Sequence, residues 1–253
     1  MPAEKLALLI GVFFLTSVLS VITGSTSLIT VPVMISLGIE PHRAVATNML
    51  ALTFMSVGGT LPFLHAKAME RRRLALLLSL TIVGSIFGAL ILVRLPVAPL
   101  QTVIAIAMMA VAGFSLIHRN VGLERREIAK FPVEISGYLA TFALAVYGGF
   151  FSGGYVTLLT TVFVMLFGMT FLQAVATTKL MNVFSSGVAT LVFLGRGIVD
   201  LKLGFILGIA MFGGGLLGGR IALHLNVIWL RRIFIAAVLA LAIKMLLLTP
   251  VVS

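Results

Sequence analysis

The sequence predicts an all-α membrane protein, a polytopic helical bundle of two homologous repeats. Three observations lead there. Hydrophobic residues make up 60% of the 253-residue chain and charged residues 10%, with a mean hydropathy of +1.22. A soluble domain of this length carries more charge, and one water-soluble core cannot bury so many apolar runs. The runs are continuous rather than alternating, which indicates spanning helices and not a barrel. Finally, the chain repeats itself at a shift of 130 positions. Gly24-Ser25-Thr26-Ser27-Leu28-Ile29-Thr30 falls on Gly154-Tyr155-Val156-Thr157-Leu158-Leu159-Thr160, Gly38 on Gly168, and Ala44-Val45-Ala46-Thr47 recurs as Ala174-Val175-Ala176-Thr177. Thr60-Leu61, Gly84 and Gly88 fall on Thr190-Leu191, Gly214 and Gly218. Repeats of polytopic length mark secondary transporters, whose binding site lies between the two copies.

Each repeat holds five apolar segments, roughly 6–22, 25–37, 44–64, 74–94 and 99–118, then 136–152, 155–167, 174–194, 203–223 and 229–248. The chain divides into a first repeat (1–118), a charged linker containing Pro132 (119–134) and a second repeat (135–253). The halves must bury small-residue faces on one another, so they are expected to form one transport domain. The first segment follows Lys5 and resembles a signal peptide. No A-x-A cleavage pattern follows, and 136–152 is its counterpart, so it is expected to be retained structure. The second segment is short: residues 25–37 give a helix of about 20 Å, against a hydrocarbon core of about 30 Å. It opens on glycine and polar residues, and the first copy contains Pro32. The expected form is a broken or re-entrant helix, tolerated only where it is buried in protein or lines a wet cavity. The fourth segments carry Gly84, Ser85, Gly88 and Ala89, and Gly213, Gly214, Gly215, Gly218 and Gly219. Such faces let helix backbones approach closely, for packing or for sliding.

Eight to ten membrane segments result. If the first two segments of a repeat run antiparallel, the repeats are inverted; if they form one interrupted span, the repeats are parallel. Charge counting does not decide, and the inverted form is the expectation carried forward. Both schemes put 65–73 and 119–134 on the cytoplasmic side, where Arg71-Arg72-Arg73, Arg119, Arg125-Arg126 and Lys130 follow the positive-inside pattern. The net charge of +11 is therefore a membrane-flanking charge and not a nucleic-acid footprint. Oligomeric state is open, with a homodimer among the options.

Several chemistries are excluded. There is no cysteine for a thiol or a cysteine metal site. The acidic residues Glu4, Glu40, Glu70, Glu124, Glu127, Glu134 and Asp200 all lie at segment ends or in loops, so a cation bound by a midspan carboxylate is not expected. Ser152 sits in a glycine-flanked turn, yet His42, His65, His118 and His224 stand at segment ends, and none is positioned as its base or spaced for zinc. No catalytic residue, metal ligand or cofactor is expected.

Positive charge does enter the apolar regions. Lys179, in Ala176-Thr177-Thr178-Lys179-Leu180-Met181-Asn182, falls within the first two turns of a span. An ammonium there costs about 2.5–3.5 kcal/mol, so it either finds a partner or cavity or snorkels to the interface. Asn182 shares its face and Thr178 is adjacent. Arg94, Arg220 and Lys244 are expected to snorkel. The clusters Gly24-Ser25-Thr26-Ser27 and Ser152-Gly153-Gly154-Tyr155 occupy equivalent places at helix starts. Free N–H groups and the positive dipole end attract an anion there. Two such starts meeting near the midplane would cradle one oxyanion, with the hydroxyls of Ser25, Thr26, Ser27, Tyr155 and Thr157 completing the shell. Thr47 and Asn48, with Thr177 and Thr178, form the next equivalent pair. The alternative role of these residues is helix capping.

At these motifs the chain resembles the TauE/SafE family of sulfite exporter-like permeases. The likeness rests on the Gly24-to-Pro32 opening, the Gly38-x-x-x-x-x-Ala44-x-x-Thr47 stretch, and their repeats around Gly153-Gly154 and from Gly168 to Asn182. It implies a multi-pass bacterial inner-membrane permease with two related halves, and anionic sulfur compounds as substrates: sulfite, sulfoacetate, other organosulfonates or thiosulfate. Ser25-Thr26-Ser27 stands where family members often carry more glycine, which suggests hydroxyl contacts beside backbone ones. The expected function is secondary transport of a small sulfur oxyanion by alternating access, with an anion channel or a membrane subunit docking a partner enzyme as the alternative.

Overall fold

The computed structural model describes residues 2–24, 26–65, 69, 72–96 and 131–224. The regular elements among them are all helices: α1 (Ala3–Thr23), α2 (Ser27–Ser36), α3 (Pro41–His65), α4 (Leu74–Arg94), α5 (Phe131–Phe150), α6 (Tyr155–Phe167), α7 (Phe171–Gly195) and α8 (Leu201–His224). The expected segments 99–118 and 229–248 lie outside the described residues. Six helices are long and apolar enough to cross a membrane, and α2 and α6 are the two short ones. At 1.5 Å per residue α2 is about 15 Å long and α6 about 20 Å. Apolar side chains line the outside of the bundle: Leu191 is 69% and Ile209 68% exposed. In water such a surface would be a liability; in a bilayer it is the expected solvent-facing side.

Five helices, α1, α3, α5, α7 and α8, start two to five residues before the expected positions, whereas α4 and α6 start as expected and α2 two residues later. The α5 helix begins at Phe131, inside the expected 119–134 linker, and carries Glu134 in its first turn, where the helix dipole favours an acid. Three further starts are capped. Thr170 and Gln173 form a reciprocal capping box at α7. The Glu40 carboxylate accepts the backbone N–H groups of His42 (3.0 Å) and Arg43 (2.9 Å) at α3. Asp200 accepts the Leu203 N–H at 3.0 Å at α8. Burial alone would raise the Glu40 pKa; the bonds from the Arg43 backbone and from the His42 ring and backbone outweigh it and hold the carboxyl below its usual value.

The contact registers give the direction of each helix. Gly204, Gly208, Gly215 and Gly219 of α8 pack in order against Leu50, Phe54, Met55 and Gly59-to-Pro62 of α3, so the two helices run parallel. The α1 helix joins them: a Cβ on Gly214 would lie 2.6 Å from the Phe14 carbonyl oxygen, and one on Gly218 would overlap the Val18 carbonyl. Ser17 also donates to the Met211 carbonyl at 2.7 Å. On the other side α4 and α5 run parallel, with Gly84 against Ala145 and Gly88 against Val146 and Phe150. The α7 helix aligns with α4 through Thr81 and Met181 and through Ser85 and Ser185. Between these two groups α3 and α7 run antiparallel: Ser56 meets Asn182, Thr53 faces Gly187, and Gly59 lies by Lys179. The short α2 and α6 each return against the helix that follows them. Thr26 contacts Met55 while Thr30 reaches Asn48, and Ser152 contacts Asn182 while Thr160 reaches Thr178.

Ion pairs and caps mark the two ends. Arg73 at the start of α4 binds Glu134 of α5 at 2.5 Å, with its guanidinium carbon 5.4 Å from the centre of the Phe167 ring at the end of α6. At the opposite end Thr47, near the start of α3, accepts the Asp200 N–H at 3.0 Å, and His42 reaches the Leu95 carbonyl at the end of α4 at 2.8 Å.

The glycine faces act in packing. Gly214 and Gly218 admit α1, whereas Gly215 and Gly219 admit α3. Gly88→Ala is expected to cost about 1–3 kcal/mol of stability through overpacking and to lower the apparent Tm in detergent. Gly213→Ala, where a Cβ meets nothing nearer than the Phe14 ring at 3.8 Å, should leave the Tm unchanged or slightly raised.

Candidate functional site

Both short helices begin inside the bundle, and their starts face one another. Gly24 ends α1 with a left-handed φ of 67°, which turns the chain back into α2. Its counterpart Gly154 (φ 78°) turns α5 into α6, and Gly38 and Gly168 share positive φ at the far ends of the short helices. Only glycine adopts these angles without strain, which explains why both glycine pairs recur. Ser152 takes φ 63° without that freedom. The contact between the halves is close. A Cβ on Gly24 would lie 2.7 Å from the Val156 Cβ and 2.8 Å from the Thr157 backbone nitrogen; one on Gly153 would lie 2.7 Å from Leu28. The first-turn N–H groups of α2 and α6, which helix geometry leaves without intrahelical partners, therefore lie beside this junction.

Lys179 lies at the same place. It is fully buried, and its Nζ donates to the Ser20 carbonyl at 2.9 Å. Ser20 O also accepts the Gly24 N–H at 2.7 Å, so the ammonium caps the C-terminal end of α1 just before the break. A cation at a helix C-terminus is favourable. The α7 helix starts at Phe171, which puts Lys179 about 12 Å along it. That is deeper than the first two turns expected from the apolar run, and full burial replaces the snorkelling alternative. Arg94 and Arg220 are exposed, in accord with snorkelling.

Neutral polar side chains surround the two starts. Asn48 accepts from Thr30 at 2.6 Å and donates to Ser27 at 2.9 Å, bridging α3 to the first turn of α2. At the shifted positions Thr160 and Thr178 pair at 3.2 Å. Thr26 bonds to the Ser20 hydroxyl, beside the Met55 sulfur. Asn182 donates to Ser56 at 2.7 Å and accepts from Ser152 at 3.4 Å. The Tyr147 hydroxyl holds the Gly153 carbonyl.

The structure thus brings together Gly24, Thr26, Ser27, Asn48, Gly153, Gly154, Thr157, Thr178, Lys179 and Asn182 around the paired helix starts. Ser25 lies outside the described residues. Three of the expected residues point elsewhere. Thr47 is engaged by Asp200 near one end of the bundle. The Thr177 hydroxyl is buried without a hydrogen-bond partner among the described residues, two positions from Lys179 and so on another face of α7. The Tyr155 ring packs with Leu77, Phe163 and Met181 in a separate apolar cluster. Sequence reading misses Ser20, Thr30 and Ser56. Thr30 and Ser56 recur as Thr160 and Ser186, a signal present in the repeat. Ser20 has no counterpart, and it meets Lys179 through its backbone carbonyl, which no side-chain pattern marks.

A polytopic bundle with two interior helix breaks and a buried cation between them has the architecture of a transporter. Residues 9–245 match the family model described as "Sulfite exporter TauE/SafE", and the chain belongs to that family. It is 28% identical over 220 residues to "Probable membrane transporter protein YfcA" of Escherichia coli strain K12, covering 85% of this chain and 81% of the relative. A "Probable membrane transporter protein" of Haemophilus influenzae is 28% identical over 218 residues, covering 86% and 84%. "Probable membrane transporter protein ORF9" of Sinorhizobium sp is 29% identical over 244 residues, covering 95% and 92%. No solved structure matches. The chain is accordingly a multi-pass membrane protein of a transporter family.

Because Gly24 combines positive φ with direct contact on Val156 and Thr157, Gly24→Ala is expected to part the two helix starts. Cell-uptake assays on this variant should show loss of transport of any substrate found for the wild type, with membrane insertion retained.

Proposed function

We propose that the chain is a secondary carrier, and not an enzyme, for a small sulfur oxyanion, either sulfite or an organosulfonate. One observation carries this reading: the fully buried Lys179 ammonium at the junction of the two helix starts meets a neutral carbonyl and, among the described residues, no carboxylate. A buried charge without a counter-ion is costly, so an arriving anion supplies what the fold withholds. First-turn N–H groups of α2 and α6 and the side chains of Ser27, Ser56, Asn48 and Asn182 offer donors to its oxygens. The family's name supports a sulfur oxyanion.

The repeat supports alternating access. The shift of 130 positions equates α3 with α7, and these two helices run antiparallel. We read the halves as inverted copies that together form one transport domain, with Arg73 and the loops around it on the cytoplasmic face. Gly24 packs directly on Val156 and Thr157, and so close a junction favours a carrier over a channel.

The test is a thermal-shift screen of purified protein in detergent against sulfite, sulfate, thiosulfate, sulfoacetate, taurine and cysteate. A ligand that binds the folded state raises its Tm, by mass action equivalent to about 2.7 kcal/mol at a hundredfold excess over Kd. One sulfur oxyanion should stabilise the wild type, and Lys179→Met should fold but lose the shift. An unchanged shift in Lys179→Met would remove Lys179 as the ligand, and no shift with any compound at millimolar concentration would count against the carrier.

A further inference from the structure

The fixed charge of the site narrows the substrate further. Lys179 contributes one positive charge. The acidic residues among those described are all committed to helix ends. Glu40 caps α3 and contacts the His42 ring at 2.9 Å, Glu134 pairs with Arg73, Asp200 caps α8, and Glu4 lies in the first turn of α1. The helix termini at the junction largely cancel. The α1 and α5 helices end where α2 and α6 begin, so two partial negative ends adjoin two partial positive ones. The repeat does not double the cation either, because the position equivalent to Lys179 is Met49, itself fully buried. The remaining side chains around the junction, Ser20, Ser27, Asn48, Ser56, Ser152 and Asn182, are neutral.

Building on the carrier reading, we propose that the site selects singly charged oxyanions, meaning hydrogen sulfite or a simple sulfonate, and discriminates against dianions. A monoanion neutralises Lys179 and leaves the interior uncharged. A dianion of similar shape leaves one buried negative charge uncompensated, which neutral hydroxyls and amides do not offset. Hydrogen bonding recognises the oxygens in both cases, so selection between them falls to charge.

Competition on wild-type protein in detergent tests this without any variant. Methanesulfonate and 2-hydroxyethanesulfonate are compared with sulfate and thiosulfate at matched ionic strength, which removes differences in screening. The monoanions are expected to bind at least about tenfold more tightly than the dianions. Sulfate or thiosulfate binding as tightly as methanesulfonate, with binding still abolished in Lys179→Met, would overturn the charge selection and leave the carrier reading standing. Failure of both classes to bind would overturn the carrier reading and the selection with it.

Discussion

The constraint on which this structure depends is that a helix broken inside a bilayer must have its free backbone groups buried in protein. Lipid supplies no hydrogen-bond partner, so the break is affordable only where another part of the chain closes over it. Here the cover is reciprocal. The turn at Gly24 presses on Val156 and Thr157, and the turn at Gly153 presses on Leu28. Each half supplies the lid for the other half's break. Neither half is self-sufficient, which explains why α1 packs on α8 and α5 on α4 across the repeat boundary rather than within it.

Reciprocity accounts for what the sequence makes legible. The repeated glycines sit at positive φ or at helix crossings with no room for a methyl group, so their identity is fixed by local geometry and survives in both copies. The short length of α2 and α6 is equally plain from their apolar runs. What cannot be read is long-range register. Lys179 finds its partner 159 positions away on a backbone carbonyl, and nothing in the residues around Ser20 announces it. Thr47 shows the converse case. It belongs to the repeat, yet its hydroxyl accepts the Asp200 N–H near one end of the bundle, a contact that the repeat pattern does not announce.

Where the two halves differ is as informative as where they agree. Asn48 and Thr178 occupy one equivalent position and both reach the threonine one turn into the facing short helix. That bond holds the break and is needed twice. Lys179 and Asn182, by contrast, fall on Met49 and Leu52. Arg73, which clamps Glu134 and covers Phe167, falls on Leu203. The scaffold is thus symmetric in backbone support and asymmetric in charge. A symmetric pair of lysines would place two ammonium groups in one buried space with no carboxylate between them, and their repulsion would oppose the close approach of the helix starts.

This division limits how the molecule can move. The α1–α8, α3–α8 and α4–α5 contacts are backbone against backbone through glycine, where even a one-carbon side chain does not fit. Surfaces that interlock this tightly resist sliding and move as units. The softer boundary is the antiparallel α3–α7 seam, where side chains rather than backbones meet: Ser56 with Asn182, and the Lys179 stem beside Gly59, where an added Cβ would sit 3.8 Å from the lysine Cδ. On the carrier reading proposed above, a change of access that preserves the glycine contacts would rock the α1–α3–α8 group against the α4–α5–α7 group about this seam. The polar residues assigned above to the proposed anion, Lys179, Asn182 and Ser56, line the same seam. On that reading substrate binding and the motion would be matters of the same few hydrogen bonds, because an anion that drew Lys179 from the Ser20 carbonyl would also loosen the tie between α7 and the break at the end of α1.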